Sequence, residues 1–305
     1  MKIKVIGVGG AGCNTISRLV TLPLKGLELF AVNTDAQSLK SCASPNKVLI
    51  GEKATGGLGT GMDSRLGQKA AEESKDTLKE ILKNSEIVFL TAGLGGGSGT
   101  PTISVLGKIA KEMGILTLAV ITLPFSFEGR LRRKVANLGL ENLKKNVDAF
   151  LVISNDRILK IISKTTSVEE AFLEVDKVLM ESLEGISELL LVPGIISVDF
   201  ADLEEVLKDS GRALFSRGSA KGEQRALGAV SKALQSPLLD VLPKKTKGVL
   251  FNVSGRDVSL SEVNLIANFI KRITDQKTKI IFGVSENKNM EKGEIKVTLI
   301  ATGIE

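Results

Sequence analysis

Residues 91–101 read TAGLGGGSGTP, placed where an apolar, β-type run (EIVFL, 86–90) ends and a helical pattern (PTISVLGKIAKEMG, 101–114) begins. Successive glycines let the backbone turn so that several N–H groups point into one concavity, and the helix that follows adds the positive end of its dipole. Such a loop is built to hold phosphate. A tight turn is the alternative reading of any single glycine loop, but this one carries more turn chemistry than a connection requires.

Two further loops lie at equivalent strand-to-helix edges. GVGGAG at 7–12 fits the G-x-G-x-x-G fingerprint of dinucleotide-binding folds, and GGLGTG at 56–61 precedes another helix. The fingerprint alone is a weak signal, and its usual companion is missing. An acidic residue should end the second strand about 20 residues beyond the glycines to hold the ribose. Here that strand, LELFAVN, ends in Asn33 and Thr34, with Asp35 too far along. A dehydrogenase is therefore disfavoured. No G-x-x-x-x-G-K-[ST] pattern exists either, so the chain is not a P-loop enzyme. A diphosphate needs one glycine loop; three at the carboxyl ends of parallel strands point to a triphosphate.

Working outward, strand-like runs at 2–8, 27–33, 86–92, 115–122 and 149–153 alternate with helical patterns at 12–20, 64–84, 101–113 and 130–146. Continuous apolar strands alternating with helices predict a parallel sheet covered on both faces. A long helix follows over 168–191, with Val168, Ala171, Phe172, Val175, Val178, Leu179, Leu183, Ile186 and Leu190 at three- and four-residue spacing, and Pro193 and Gly194 stop it. Beyond it, strands are predicted at 212–216, 248–254, 278–284 and 295–302, with helices near 222–235 and 259–273. The expected fold is α/β: a Rossmann-like parallel-sheet domain over 1–167, a central connecting helix over 168–193, and a smaller α/β domain over 194–305.

Composition narrows the chemistry. The 305 residues are 43% hydrophobic and 25% charged, as in a soluble globular protein. No stretch reaches the roughly 20 apolar residues that span a bilayer, and residues 1–19 do not resemble a signal peptide, so a cytoplasmic protein is expected. Cys13 and Cys42 are expected to be reduced, partly buried thiols. There is no histidine, which excludes a Ser-His-Asp triad, a Cys-His pair and most catalytic zinc sites. Carboxylates, backbone dipoles and a hard metal ion are what remain. The net charge of +6 is spread among acids without interleaved aromatic residues, so no nucleic-acid partner is expected. Weak attraction to an anionic membrane surface stays open as an alternative to a merely solvated lysine-rich surface.

GGGSGTP resembles the tubulin signature GGGTGTG. Together with GVGGAGCN, AVNTDAQSL, PFSFEG, SNDRIL, PGIISVDFADL and SPLLD, in that order from Lys2 to Gly303, the chain resembles FtsZ, the tubulin-like cell-division GTPase. The resemblance implies a GTP- and GDP-binding, GTP-hydrolysing cytoskeletal protein that polymerises head to tail and organises the division ring, with Mg²⁺ as a further expectation. It implies that Gly9, Gly10, Ala11, Gly12, Cys13 and Asn14 lie on the phosphates, and that Gly95, Gly96, Gly97, Ser98, Gly99 and Thr100 cradle the β- and γ-phosphates. Gly59, Thr60 and Gly61 would sense the γ-phosphate, Glu128 and Arg132 would contact the ribose, and Asn155 and Asp176 would read guanine with Phe172 stacked on it. A carboxylate suits guanine, because it can accept from both N1–H and the exocyclic amine. The alternative for Asp176 is a solvated position on an amphipathic helix. Asp199 and Asp202, in the loop 194–202, would act on the nucleotide of the next subunit; the alternative for Asp202 is a helix N-cap.

Three departures from the family pattern carry consequences. Ser197 stands where the family usually has Asn, which implies altered hydrolysis. Pro101 follows the signature where Gly is commoner, a change tolerated at a first helical position. The linker and C-terminal peptide that tether such filaments to membrane adaptors lie outside these 305 residues, so either the natural chain is longer or this is a tail-less member. The alternative function is accordingly a slow-turnover scaffold assembled from the same subunit. Division proteins and membrane adaptors cannot be named from the sequence.

Overall fold

The computed structural model describes residues 2–22, 26–160, 162–163, 165–191, 194–236, 245–288 and 290–304. The chain divides into two compact units, Met1–Leu183 and Glu184–Glu305.

In chain order the first unit holds β1 (Ile3–Val8), α1 (Gly9–Leu19), β2 (Leu27–Asn33), α2 (Ala36–Ser41), β3 (Asn46–Leu49), α3 (Glu52–Thr55), α4 (Ser64–Glu73) and α5 (Lys75–Leu82). There follow β4 (Ile87–Gly93), α6 (Gly99–Glu112), β5 (Leu116–Leu123), α7 (Arg130–Leu143), β6 (Ala149–Ser154), α8 (Asn155–Ile158) and most of α9 (Val168–Leu191). Its strands run β3-β2-β1-β4-β5-β6, all parallel. Every residue of β1 and all but the last of β4 are buried, as expected of strands covered on both faces. Ile6, Leu90, Leu78 and Ile103 meet in one cluster, each contributing about 1.5–3 kcal/mol on burial. Lys4 is the polar exception within β1. Its ammonium donates to the carbonyls of Ile81 and Lys83 at 2.9 and 2.7 Å, which satisfies carbonyls at the end of α5.

The order reverses between β1 and β4, whose carboxyl ends carry the first glycine loop and the signature loop. In open parallel sheets this reversal leaves a crevice, and ligands bind there.

The second unit holds the end of α9, then α10 (Phe200–Leu207), β7 (Gly211–Lys221), α11 (Arg225–Leu234), β8 (Gly248–Gly255), α12 (Leu260–Ile273), β9 (Lys279–Glu286) and β10 (Glu294–Thr302). Its sheet runs β7-β10-β8-β9, with β10 antiparallel to both neighbours and β8 parallel to β9. Phe251 is fully buried and stacked on Phe282 at 5.5 Å, and Ile266, Ile270 and Leu299 pack in the same core. Arg225 ties α11 to the start of α12 through Glu262 and Asp257, each at 2.6 Å. Glu262 also closes a capping box with Ser259, so hydrogen bonds from Arg225 hold its carboxyl down at about 2 despite partial burial.

The expected α/β fold is the observed one, with differences in detail. The helix expected over 64–84 is two helices, α4 and α5, broken at Ser74, whose hydroxyl accepts from the Gly51 N–H at 2.8 Å. The short elements β3, α2 and α3 have no counterpart in the sequence reading. Val168, expected on the buried stripe of α9, is 64% exposed; Leu190 lies outside the described side chains. The signature helix begins at Gly99, so Pro101 is its third residue and not its first. The consequence is unchanged, because the N–H groups of a first turn have no intrahelical acceptor. Asp202 is not an N-cap. Asp199 caps α10, accepting from the Asp202 N–H at 2.7 Å, and Asp202 is the third helical residue. Cys13 and Cys42 are both free and buried. Burial and the neighbouring Cys42 push the Cys13 thiol up to about 12.

Candidate nucleotide site

At the β1/β4 reversal lies a cavity of about 200 Å³. Backbone makes most of its wall: Val8, Gly9, Gly10 and Ala11 from the first loop, and Gly93, Leu94, Gly96, Gly97, Ser98 and Gly99 from the signature loop. Glycine is required here by contact. A Cβ on Gly97 would sit 2.4 Å from Thr60 Oγ1 and 2.7 Å from the Met62 carbonyl carbon, and one on Gly9 would meet the Gly99 nitrogen at 2.9 Å. The three glycine loops therefore pack against one another. The signature loop closes on itself, since the Gly95 N–H donates to Thr100 Oγ1 at 2.9 Å.

The remaining wall comes from β5 and beyond. Thr122 and Pro124 lead into a short 3₁₀ turn, Ser126–Glu128. Glu128 accepts from the Phe125 N–H at 2.8 Å and pairs with Arg132 at 2.9 Å, so both are fixed on the cavity rim. The turn is anchored from behind by Asp156, which accepts from the Ser126 N–H and hydroxyl at 2.7 and 2.6 Å and from Arg133 at 2.8 Å. Desolvation opposes ionisation of Asp156, but the Ser126 and Arg133 hydrogen bonds prevail and hold its carboxyl below the usual range.

Asn155, directly after β6, is 4% exposed and lines the cavity, and its Oδ1 has no hydrogen-bond partner among the described residues. A buried amide without a partner is costly unless a ligand supplies one. Phe172, on α9, is 39% exposed and meets Phe125 edge-on at 5.2 Å, leaving an aromatic surface at the mouth. Phe172 was expected in the buried stripe as well as at the base; it stands at the cavity.

The expected site residues fall into four groups. Gly9, Gly10, Ala11, Gly96, Gly97, Ser98, Gly99, Glu128, Arg132, Asn155 and Phe172 line the one cavity. Gly12, Cys13, Asn14, Gly59, Thr60, Gly61, Gly95 and Thr100 belong to the same loops but stand behind or beside the wall. Gly12 is pressed against Gly7 and Thr91, and the Cys13 thiol points towards the Val32 carbonyl. Asp176 is not in the wall; its carboxylate pairs with Arg18 of α1. Asp199 and Asp202 belong to the second unit.

The chain matches the description "Tubulin/FtsZ family, GTPase domain" over residues 2–163 and "FtsZ family, C-terminal domain" over residues 211–305. It is 43% identical over 303 residues to cell division protein FtsZ 1 of Pyrococcus abyssi, covering 99% of this chain and 81% of that one. This chain belongs to the FtsZ family. The FtsZ 1 of Pyrococcus horikoshii is similar to the same degree, 43% over 303 residues with the same coverage. Among solved structures, the empty FtsZ dimer of M. jannaschii superposes with a TM-score of 0.93 at 41% identity, covering 100% of this chain and 88% of that one. CetZ1 of Haloferax volcanii, in its GDP-bound monomer, shares the fold at a TM-score of 0.87 and 21% identity, covering 100% of this chain and 95% of that one. As an FtsZ, the chain is a GTPase of the tubulin-like cell-division cytoskeleton, as the resemblance implied; the dehydrogenase alternative is set aside.

Residues the sequence reading missed are those that act from behind the wall. Asp156 and Arg133 hold the Ser126 turn, Arg18 holds Asp176, and Phe125 backs Phe172. Only Asp156 had a visible signal, as the neighbour of Asn155 in SNDRIL.

The loop 194–199 is pinned within its own unit. Ile196 pairs with Val284 through two backbone hydrogen bonds of 3.2 and 2.9 Å. The Ser197 hydroxyl is used locally, bonding to the Gly194 N–H at 3.1 Å and carbonyl at 3.3 Å. Asp199 is exposed, and the Asp202 carboxylate has no partner among the described residues.

Proposed function

We propose that the cavity holds GTP with its triphosphate along Gly9–Asn14 and Gly95–Thr100, the γ-phosphate facing Gly59–Gly61, the ribose at Glu128 and Arg132, and guanine between Phe172, Asn155 and Asp176. In this reading Asp199 and Asp202 of the next subunit in a head-to-tail filament complete the site. One observation carries it: among the described residues the only carboxylate lining the cavity is Glu128, and its oxygens are committed to the Phe125 N–H and Arg132. The pocket therefore offers no free carboxylate of its own to take up the proton of an attacking water, whereas Asp202 offers one that its own surroundings do not use.

The residues fit the nucleotide. Backbone N–H groups and a helix N-terminus suit phosphates, the unpartnered Asn155 amide suits a base edge, and Phe172 offers a stacking face. No group of three or more His, Cys, Asp or Glu side chains that could hold a metal ion exists among the described residues. Mg²⁺ would be held chiefly by phosphate oxygens and water, as is usual for this ion. No helix among the described residues is long and apolar enough to cross a membrane; placement at the division site, in the cytoplasm, is part of the same proposal.

The test is turnover per subunit against protein concentration. It should be near zero when dilute and rise steeply on association, and Asp202→Ala should bind GTP normally yet fail to hydrolyse it. Concentration-independent turnover would remove the shared site. The second reading, a slow-turnover scaffold, is favoured by Ser197, whose hydroxyl is taken up in the loop's own turn. Filaments that persist in excess GTP without measurable phosphate release would select it.

A further inference from the structure

The second strand ends at Asn33, followed by Thr34, where a dinucleotide fold would place an acid, and the nucleotide reading gives Thr34 no task. Thr34 is fully buried. Its Oγ1 lies 2.6 Å from Ser98 Oγ, and Ser98 Oγ lies 3.2 Å from Thr60 Oγ1. Three hydroxyls from three different loops thus meet at Ser98, which lines the cavity. The Thr34 carbonyl also accepts from the Gly59 N–H at 3.1 Å and from Thr55 Oγ1 at 3.3 Å. Thr34 therefore holds the 56–61 loop by its backbone and the signature loop by its side chain.

Either oxygen of each pair can donate, and counting donors narrows the choice. A hydroxyl has one proton to give and two lone pairs. Thr34 Oγ1 is buried and has no other partner among the described residues, so Ser98 is its outlet. If Thr34 and Thr60 both donate to Ser98, both lone pairs of Ser98 are filled and its own proton is left over. In that arrangement the proton has no acceptor among the described residues; the cavity is where one would arrive.

Resting on the reading of this cavity as a phosphate site, we propose that Thr34 is a positioning residue: with Thr60, it turns the Ser98 hydroxyl into a committed donor to a phosphate oxygen. A hydrogen bond to an anion is stronger than a neutral one, and a donor whose lone pairs are engaged is polarised further. Phosphate occupancy is thereby coupled to the 56–61 loop through Thr60.

The experiment is calorimetric titration of the full chain with GTP and with GDP, in Mg²⁺. Thr34→Val keeps shape and removes only the hydroxyl; it is expected to weaken binding about tenfold, and Thr34→Ser to restore it. The decisive comparison is Thr34→Val in a Ser98→Ala background, where it should cost nothing further, because the group it acts through is gone. A merely structural role would weaken binding in both backgrounds, and that result overturns the proposal. So does unchanged affinity in Thr34→Val alone while the wild type binds. Failure of the wild type to bind either nucleotide overturns the phosphate reading itself. Should Thr34→Val not fold, Thr60→Val in the two backgrounds makes the same comparison.

Discussion

Gly96 and Gly97 are neighbours in the signature loop, yet alanine should act on them in opposite ways. At Gly97 the new methyl would lie 2.4 Å from Thr60 Oγ1, 2.7 Å from the Met62 carbonyl carbon and 2.8 Å from the Asp63 nitrogen. The hydroxyl can rotate away, but the two backbone atoms belong to the N-cap of α4 and must shift by roughly half an ångström. Overpacking of this kind costs about 1–3 kcal/mol. At Gly96 the added Cβ meets no atom within 4 Å, the residue lies outside the left-handed region, and it lines the cavity. Alanine there should leave the empty fold intact or stabilise it by about 0.4–1 kcal/mol through the unfolded chain. Its methyl nevertheless occupies space into which phosphate must come, so GTP affinity should fall at least about tenfold, or 1.4 kcal/mol. Urea midpoints and nucleotide titration on the two variants separate the effects. Gly97→Ala should lose stability, and Gly96→Ala should lose binding alone. Wild-type affinity in Gly96→Ala would mean that phosphate does not approach this face of the loop, and the reasoning would fail at its first step.

Other expectations are more local. Asp176→Ala should erase much of the preference for guanine over adenine nucleotides, about 1–3 kcal/mol, read as the ratio of GTP to ATP affinity; an undiminished ratio would leave Asp176 only its ion pair with Arg18. Ser197→Asn should raise GTP turnover with assembly intact, because an amide can both donate and accept where the serine hydroxyl is already spent on Gly194; an unchanged rate shows that the position is not limiting. Glu262→Gln should destabilise the second unit at neutral pH. The folded carboxyl sits at about 2 against an ordinary 4.5, a contribution of up to about 3 kcal/mol. Because that value is depressed, the contribution is present above the unfolded value and lost as pH falls through about 2, so urea midpoints of wild type and variant should differ at pH 7 and converge in strong acid.

The parallel sheet was legible because buried strands must be continuous apolar runs, and β1, β4 and β5 are. The bounds of α9 were legible for a related reason, a clean three-and-four spacing ended by Pro193 and Gly194. What escaped has a tertiary cause. Strand β3 has only four residues, too few for a period, and is held by pairing with β2. The break at Ser74 coincides with a hydrogen bond that its hydroxyl accepts from Gly51, remote in sequence. Among the expected site residues, the glycine loops announced themselves through composition, but Glu128, Arg132, Asn155, Phe172 and Asp176 came only through family resemblance. Single polar residues on ordinary helices carry no local signal. The Arg18–Asp176 pair and the convergence of Thr34 on Ser98 join residues far apart in sequence, and no pattern in the chain foretells them.

A wall made of backbone has one more consequence. Amide N–H groups do not titrate, the chain contains no histidine, and the carboxylate that anchors the Ser126 turn is held ionised by its partners. The glycine-loop walls are consequently blind to the ordinary swings of cellular acidity. If filaments of this protein respond to pH, the sensor lies outside these loops.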